Sequence, residues 1–203
     1  MILKVGVTDK YLIVGLGNPG REYRLNRHNV GFMLLDRLAA RHGLPAFTRR
    51  QGKALISTGT LGEAGLVLAK PQTYMNLSGE AVAPLLRFYN LPLERLLVCF
   101  DDIDLPVGTL RLRPEGGSAG QGGMKSIIQH LGTEIFPRLR LGVGRPPGSK
   151  AAAGYVLKDL RGEDLEIMES ALDKAADAVE CFLKEGLVTA MNRFNGPASE
   201  GKP

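Results

Sequence analysis

One histidine of this chain lies among polar residues at the point where a helix is expected to begin. Apolar residues recur at helical spacing after it until Gly43, so His28 falls at or just before the N-terminus of a helix over residues 29–42. The partial positive charge of a helix N-terminus favours the neutral, proton-accepting form of a nearby imidazole. His28 is therefore a candidate general base, and a capping or packing histidine is the alternative.

A cluster of carboxylates is the second candidate for chemistry. Asp101, Asp102 and Asp104 follow an apolar strand predicted over residues 96–100. Three interpretations are open: binding of magnesium, orientation of His28 by one carboxylate at its Nδ1–H, and a solvated turn. The three histidines have no paired spacing and the two cysteines are scattered, so neither a zinc site nor a disulfide framework is expected, and Cys99 and Cys181 are interpreted as buried thiols.

Two glycine-rich segments approach phosphate-binding motifs without completing them. Residues 15–20 have the spacing G-x-G-x-x-G, but the helix begins only after His28 and Asp36 falls in mid-helix, which excludes a dinucleotide-binding fingerprint. The loop over residues 116–123 lacks the Gly-Lys-Ser/Thr ending of a P-loop. This loop is either a flexible linker or a segment whose backbone N–H groups hold a phosphate.

Basic and aromatic side chains suggest an RNA partner. Arginines alternate along two predicted strands, over residues 109–113 and 138–143, and they are either solvated strand faces or a track for a phosphate backbone. The basic residues concerned are Arg111, Arg113, Arg138 and Arg140, with Lys125 and Arg145 beyond them. Tyr23 and Tyr74 lie in polar loops. They are either half-buried core residues or aromatic platforms on which an unpaired base or a peptide plane stacks.

The composition bounds the class of protein. The 203 residues predict one domain over residues 1–195 and a loose tail over residues 196–203. The 44% of hydrophobic residues include no run that could span a membrane, and residues 1–7 are too short and too weakly apolar for a secretory signal. A cytoplasmic protein is therefore expected. The net charge of +5 permits a nucleic-acid partner without requiring one.

Apolar strands and amphipathic helices alternate along the chain. Strands are predicted over residues 11–14, 54–58, 65–69, 96–100, 109–113 and 138–143, and helices over residues 29–42, 78–90 with Ser78 as N-cap, 124–131, 165–183 and 187–194. This pattern predicts a single-domain α/β fold, a three-layer sandwich in which helices flank a mixed, twisted β-sheet. Ligands of open α/β sheets bind beyond the carboxyl ends of strands, so Asn18, His28, Asn76 and Asp101 are expected to converge.

Four segments in this order resemble bacterial peptidyl-tRNA hydrolases, and the resemblance covers nearly the whole chain. They are Gly-Leu-Gly-Asn-Pro-Gly at residues 15–20, residues 23–31 with Arg-His-Asn at 27–29, Met-Asn-Leu-Ser-Gly at 75–79, and Asp-Asp-Ile-Asp-Leu-Pro at 101–106. The resemblance implies a monomeric α/β fold. It also implies hydrolysis, without metal or cofactor, of the ester between a peptide and the 3′ ribose of tRNA.

The same resemblance implies roles for individual residues. His28 matches the general base of the family, and Asp101 matches the carboxylate that orients it. Asn18 matches the residue that separates blocked from free aminoacyl ends. Contacts to the substrate, including the acceptor stem and 3′ end of the tRNA, are implied at Tyr23, Tyr74, Asn76, Arg113 and Arg140. From the charge pattern, Lys125 is a further candidate tRNA contact.

One motif departs from the family pattern. Where the family has Gly-His-Asn-Gly before a basic helix residue, this chain has Gln121 and Gly122 in place of the histidine and the asparagine. The asparagine amide that would help to bind substrate and position water is then missing, unless the amide of Gln121 replaces it. The departure keeps a second hypothesis open, a non-catalytic RNA-binding protein of the same fold.

Overall fold

The computed structural model describes residues 9–145 and 152–196, and residues 197–203 of the predicted tail lie outside them. Seven strands and six α-helices are present in the described residues. The strands are β1 (Lys10–Gly15), β2 (Arg49–Gln51), β3 (Ala54–Leu61), β4 (Ala64–Pro71), β5 (Leu96–Asp102), β6 (Leu110–Arg113) and β7 (Arg138–Gly142). The helices are α1 (Val30–Arg41), α2 (Gly79–Phe88), α3 (Gly122–Leu131), α4 (Ala152–Val156), α5 (Glu163–Glu185) and α6 (Leu187–Phe194).

All seven strands belong to one mixed sheet in the order β2-β3-β4-β1-β5-β7-β6. The four central strands β4, β1, β5 and β7 are parallel, whereas β2, β3 and β6 pair antiparallel with their neighbours. The predicted hairpin of β3 and β4 is confirmed. Because the four central strands run in one direction, their carboxyl ends meet at one edge of the sheet, where a ligand site is expected.

Apolar side chains fill both faces of the sheet. Successive residues of β5 alternate between the faces, since Leu97 and Cys99 join one core cluster while Val98 and Phe100 join the other. Residues of α1, α5 and α6 complete the first cluster, and residues of α2 and α3 complete the second. The predicted three-layer sandwich is thereby confirmed. No helix in the described part of the chain is both long enough and apolar enough to cross a membrane.

The structure differs from the predicted elements at several ends. Strand β5 continues through Asp102, so the acidic residues predicted to follow the strand are partly within it. Helix α3 begins at Gly122, two residues before the predicted start. Strand β2 and helix α4 were not predicted, because segments of three and five residues are too short to show a periodic pattern.

Ser78 occupies the predicted N-cap position of α2, but its side chain does not cap the helix. Ser78 already has helical backbone angles, φ −57° and ψ −30°, and its side chain makes no capping hydrogen bond. The chain enters α2 directly from a 3₁₀ turn over Met75–Leu77, so the serine lies inside continuous helical backbone. Its hydroxyl donates instead to the carbonyl oxygen of Met75 at 2.8 Å, which stabilises that turn.

Candidate active site

A histidine–aspartate pair lies at the carboxyl edge of the sheet. His28 belongs to a 3₁₀ turn over Arg27–Asn29 that leads into α1, and Asp101 is the sixth residue of β5. His28 Nδ1 lies 2.8 Å from Asp101 Oδ2, with the carboxylate side chain 2% exposed and the imidazole 15% exposed. A buried carboxylate that accepts the Nδ1–H leaves Nε2 with the free lone pair, and the ring remains reachable from solvent. The pair can therefore act as an oriented base.

Two glycines allow the backbone to bring this pair together. A Cβ at Gly31, in the first turn of α1, would lie 2.5 Å from the carbonyl oxygen of Cys99 and 2.5 Å from the nitrogen of Leu16. A Cβ at Gly15 would lie 2.2 Å from the carbonyl oxygen of Gly31. These distances are far below van der Waals contact, so only glycine permits α1 to approach the ends of β1 and β5 this closely. The close approach places the turn that carries His28 over Asp101.

Asn18 connects three segments of the site. Its side-chain Oδ1 accepts from the backbone nitrogen of Met75 at 3.0 Å, which ties the loop after β1 to the loop after β4. Asn29 exchanges two hydrogen bonds of 2.9 Å with the backbone of Asn18. Within residues 9–145 and 152–196, no hydrogen bond is donated by Asn18 Nδ2, so this amide group can serve a ligand. From the sequence, Asn29 is included only as part of the motif at residues 27–29, and no role is predicted for it. Its position next to His28 is the sequence feature that could have indicated a role in the site.

The side chain of Gln121 is engaged entirely within the protein. It is 6% exposed. Its Nε2 donates to Asp101 Oδ1 at 3.1 Å and lies 3.1 Å from the sulfur of Met75, while its Oε1 accepts from the nitrogen of Met124 at 2.8 Å and caps α3. No amide group of Gln121 is left for a substrate. These contacts contradict the predicted role of Gln121 as a replacement for the missing substrate-binding amide.

The remaining polar and aromatic candidates surround the same edge. Asn76 is exposed, and a Cβ at Gly122 would lie 3.8 Å from the Cβ of Asn76, so the two positions are neighbours. Tyr74 is 69% exposed, which excludes a core role for it, whereas Tyr23 is half-buried. Both tyrosines line a cleft of about 550 Å³ whose other walls include Pro19, Glu22, Arg50, Lys53, Gln72, Thr73, Leu77 and Glu80.

The three clustered carboxylates have three different partners. Asp101 binds His28, Asp102 pairs with Arg140, and Asp104 pairs with Arg145. Separate partners argue against a shared magnesium site and agree with the orientation of His28 by one carboxylate. No cluster of metal-ligating side chains is found in the two described stretches.

The arginines predicted to form one phosphate track are not equivalent. Arg138 is 1% exposed and donates to backbone carbonyls of Gly116, Gly117, Glu134 and Phe136. Arg138 therefore stabilises the glycine loop, and its predicted place in a phosphate track is wrong. Arg113 and Lys125 are exposed, and Arg140 is partly exposed beside Asp102. In the sheet, Arg113 pairs with Arg138, which in turn pairs with Val98 of β5. Because Val98 precedes Asp101 by three residues, Arg113 lies away from the carboxyl edge that holds Asp101.

One residue beside the candidate base was missed. Arg27 is buried and forms an ion pair of 2.5 Å with Asp164, at the start of α5. Its guanidinium lies 4.4 Å from the ring centroid of Tyr155 and donates to the carbonyl oxygen of Asp159 at 2.9 Å. The turn that carries His28 is therefore anchored to α4, to the start of α5 and to the segment between these helices. Strand and helix patterns give no signal for such a contact across the fold.

The fold and the site together define an α/β enzyme with a histidine–aspartate pair at the carboxyl edge of its sheet. The chain belongs to the peptidyl-tRNA hydrolase family, whose model matches residues 12–202. A peptidyl-tRNA hydrolase from Synechococcus sp. is 51% identical over 194 residues, covering 93% of this chain and 87% of the relative. A peptidyl-tRNA hydrolase from Chloroflexus aurantiacus is 50% identical over 186 residues, covering 91% of this chain and 98% of the relative.

Solved structures agree with this family. The crystal structure of peptidyl-tRNA hydrolase from Acinetobacter baumannii matches with a TM-score of 0.87 at 34% identity, covering 94% of this chain and 97% of the other. A 5'-methylthioadenosine nucleosidase from Arabidopsis thaliana matches with a TM-score of 0.54 at 8% identity, covering 87% of this chain and 96% of the other. The second likeness shows a shared fold alone.

Proposed function

We propose that this chain hydrolyses the ester between a peptide, or an N-blocked amino acid, and the 3′ ribose of tRNA, which releases the tRNA for reuse. The observation that carries the proposal is the hydrogen bond of 2.8 Å between His28 and the buried Asp101, in a chain of this family. Because Asp101 binds the Nδ1–H, the lone pair of His28 is on Nε2 and can accept a proton from water.

The proposed reaction is direct attack of water on the ester carbonyl carbon. His28 Nε2 removes a proton from the water as the new C–O bond forms, and Asp101 stabilises the resulting imidazolium. Amide groups of Asn18 or Asn76 donate to the carbonyl oxygen, which becomes an oxyanion, or to the peptide. When the ester C–O bond breaks, His28 returns the proton to the departing 3′ oxygen.

Exposed basic and aromatic side chains supply the proposed substrate contacts. Lys125, Arg140 and Arg113 are proposed to bind phosphates of the acceptor stem, since each retains exposed surface. Tyr74 and Tyr23 offer ring faces at the cleft to the 3′-terminal base or to a peptide plane. We propose that the active form is a monomer, because one chain supplies both members of the histidine–aspartate pair.

The experiment that tests the function compares two substrates without added metal. Purified protein is incubated with an N-acetylated aminoacyl-tRNA and with the same aminoacyl-tRNA unblocked, and release of the amino acid is followed over time. Hydrolysis of the blocked substrate alone supports the proposal, with His28→Ala as the matched inactive control.

Two other outcomes would contradict the proposal in different ways. Binding of the blocked substrate without turnover would favour the non-catalytic RNA-binding protein. Equal hydrolysis of both substrates would reject the proposed role of Asn18 in separating blocked from free aminoacyl ends, because discrimination between the two requires a contact to the blocked nitrogen.

A further inference from the structure

The carboxylate of Asp101 is held from two sides. His28 Nδ1 lies 2.8 Å from its Oδ2, and Gln121 Nε2 lies 3.1 Å from its Oδ1. Without the second contact, a carboxylate bound at one oxygen retains freedom to rotate about its Cβ–Cγ bond. With both contacts the plane of the carboxylate is fixed, and the direction of its bond to the imidazole is fixed with it.

The orientation of the Gln121 amide is also determined. Its oxygen accepts the backbone N–H of Met124, which can only donate, so the NH₂ group must face Asp101. A reversed amide would bring its oxygen against the carboxylate and its NH₂ group against the Met124 N–H, which loses both hydrogen bonds. The N-terminus of α3 thus defines which end of the amide meets Asp101.

We propose that Gln121 is a positioning residue for the general base, which acts through Asp101 and makes no contact with the substrate. This inference rests on the proposed function and deepens it. An amide does not titrate in the physiological range, so Gln121 offers its donor to Asp101 at every pH at which the enzyme works. The residue has two tasks, since the same side chain caps α3 and holds the carboxylate.

The two tasks can be separated by substitution. Serine is a good N-cap, but its side chain is too short to span the distance to Asp101, so Gln121→Ser retains a cap and loses the positioning contact. Gln121→Glu keeps the length and an acceptor for the Met124 N–H, and places a second carboxylate against Asp101. Ser126→Ala is the matched control, since it removes the hydrogen bond of 3.0 Å between Ser126 Oγ and the Gly79 nitrogen without touching Asp101.

Steady-state kinetics on an N-acetylated aminoacyl-tRNA test the proposal. We expect both Gln121 variants to lower kcat at least tenfold with KM within twofold of wild type, whereas Ser126→Ala lowers Tm and leaves kcat unchanged. A rise in KM with kcat retained would overturn the proposal in favour of a substrate contact. Wild-type kcat in both Gln121 variants would overturn it as well, and so would an equal loss of kcat in Ser126→Ala.

A double-mutant cycle identifies the residue through which Gln121 acts. In the background of Asp101→Asn, Gln121→Ser should cause less than a twofold further loss of kcat, because the carboxylate it positions is gone. An independent, multiplicative loss would contradict the proposal. Wild-type protein is assayed in parallel. If the wild type is inactive, the proposed function itself is rejected. If the wild type is active and the Gln121 variants are unaffected, only the positioning role of Gln121 is rejected.

Discussion

Asp101 links the candidate base to the rest of the site at the scale of single residues. Both of its oxygens are bound inside the protein, one by His28 and the other by Gln121. Because the carboxylate is 2% exposed, water competes little for these bonds. A neutral imidazole that donates its Nδ1–H to this carboxylate is held in one tautomer, with Nε2 as the acceptor.

Removal of the base tests this arrangement directly. We expect His28→Ala to lower kcat by roughly two to four orders of magnitude, the usual contribution of a positioned general base, with tRNA affinity nearly unchanged. Asp101→Asn should lose part of the same effect, and the double variant should lose far less than the product of the two, because the residues act as one unit. Single-turnover kinetics measure the rate, and filter binding measures the affinity for tRNA. A rate of His28→Ala near that of the wild type would show that His28 is not the general base.

The missing amide at Gly122 makes a gain of activity testable. A Cβ at Gly122 meets only ordinary van der Waals contacts, 3.8 Å from the Cβ of Asn76, so Gly122→Asn fits the fold. Its amide would lie beside Asn76 and add one donor for the substrate. We expect kcat/KM to rise about fivefold, the equivalent of one hydrogen bond of about 1 kcal/mol, with little change in Tm. An unchanged or lower kcat/KM would show that this position does not reach the substrate.

Two arginines with different surroundings should respond differently to neutralisation. Arg113→Gln and Arg140→Gln should each flatten the dependence of log K on log salt by about 0.7 to 0.9 per lost phosphate contact. Arg140→Gln should also lower Tm, because Asp102 is 2% exposed and loses the cation that pairs with it. Arg87→Gln is the control, and we expect its salt dependence to be unchanged. Arg87 lies about 12 Å along α2 from Gly79, the residue at which the helix begins near Asn76. An unchanged slope in both variants would assign Arg113 and Arg140 to ordinary surface.

At the scale of elements, the contact between α1 and the sheet determines where His28 lies. Gly31→Ala would place a Cβ 2.5 Å from backbone atoms of Leu16 and Cys99, which cannot rotate away as a side chain can. We expect a loss of about 1 to 3 kcal/mol in the free energy of unfolding, with a lower kcat because the histidine turn is displaced. Urea denaturation measures the first quantity. Gly154→Ala is the control, since its Cβ meets nothing within 4 Å; equal stability of both variants would contradict the packing argument.

Most elements could be predicted because each carries a strong local pattern. The apolar run of β5, the alternation of β7 and the helical spacing of α5 are properties of consecutive residues, and the structure confirms them. The convergence of Asn18, His28, Asn76 and Asp101 followed from a general rule about parallel sheets. The polar contacts across the fold had no comparable signal.

Arg138 and Gln121 illustrate what local patterns cannot reveal. Alternation along β7 predicts which face of the sheet an arginine shares with its neighbours. It does not predict that the segments after β6 and after α3 surround Arg138 with carbonyl groups. The capping role of Gln121 was equally hidden, because glutamine is not among the preferred N-cap residues. Ser78 stands at the predicted N-cap position, but it makes no capping hydrogen bond, because the preceding 3₁₀ turn already gives this residue helical backbone angles.

At the scale of the whole molecule, the two cysteines report on global unfolding. Cys99 is fully buried in β5 and Cys181 is 4% exposed in α5, and burial raises the pKa of both thiols. A raised pKa reduces the thiolate that reacts with disulfide reagents. We expect neither thiol to react with Ellman's reagent at pH 8 in the native protein, and two thiols per chain to react in 6 M guanidinium chloride. Rapid reaction of either thiol in the native state would contradict the packing of its layer.

The anchoring of Arg27 makes the order of synthesis matter for the site. The contacts of this residue lie 131 to 137 positions further along the chain, at Lys158, Asp159 and Asp164. A nascent chain that has not yet extended past these positions carries His28, Asp101 and the contacts between Asn18 and Asn29, but lacks the groups that bind Arg27. This anchor of the histidine turn therefore forms only after about four-fifths of the polypeptide has been synthesised, and a chain that ends before α5 would keep strands β1 to β7 but lack the ion pair between Arg27 and Asp164.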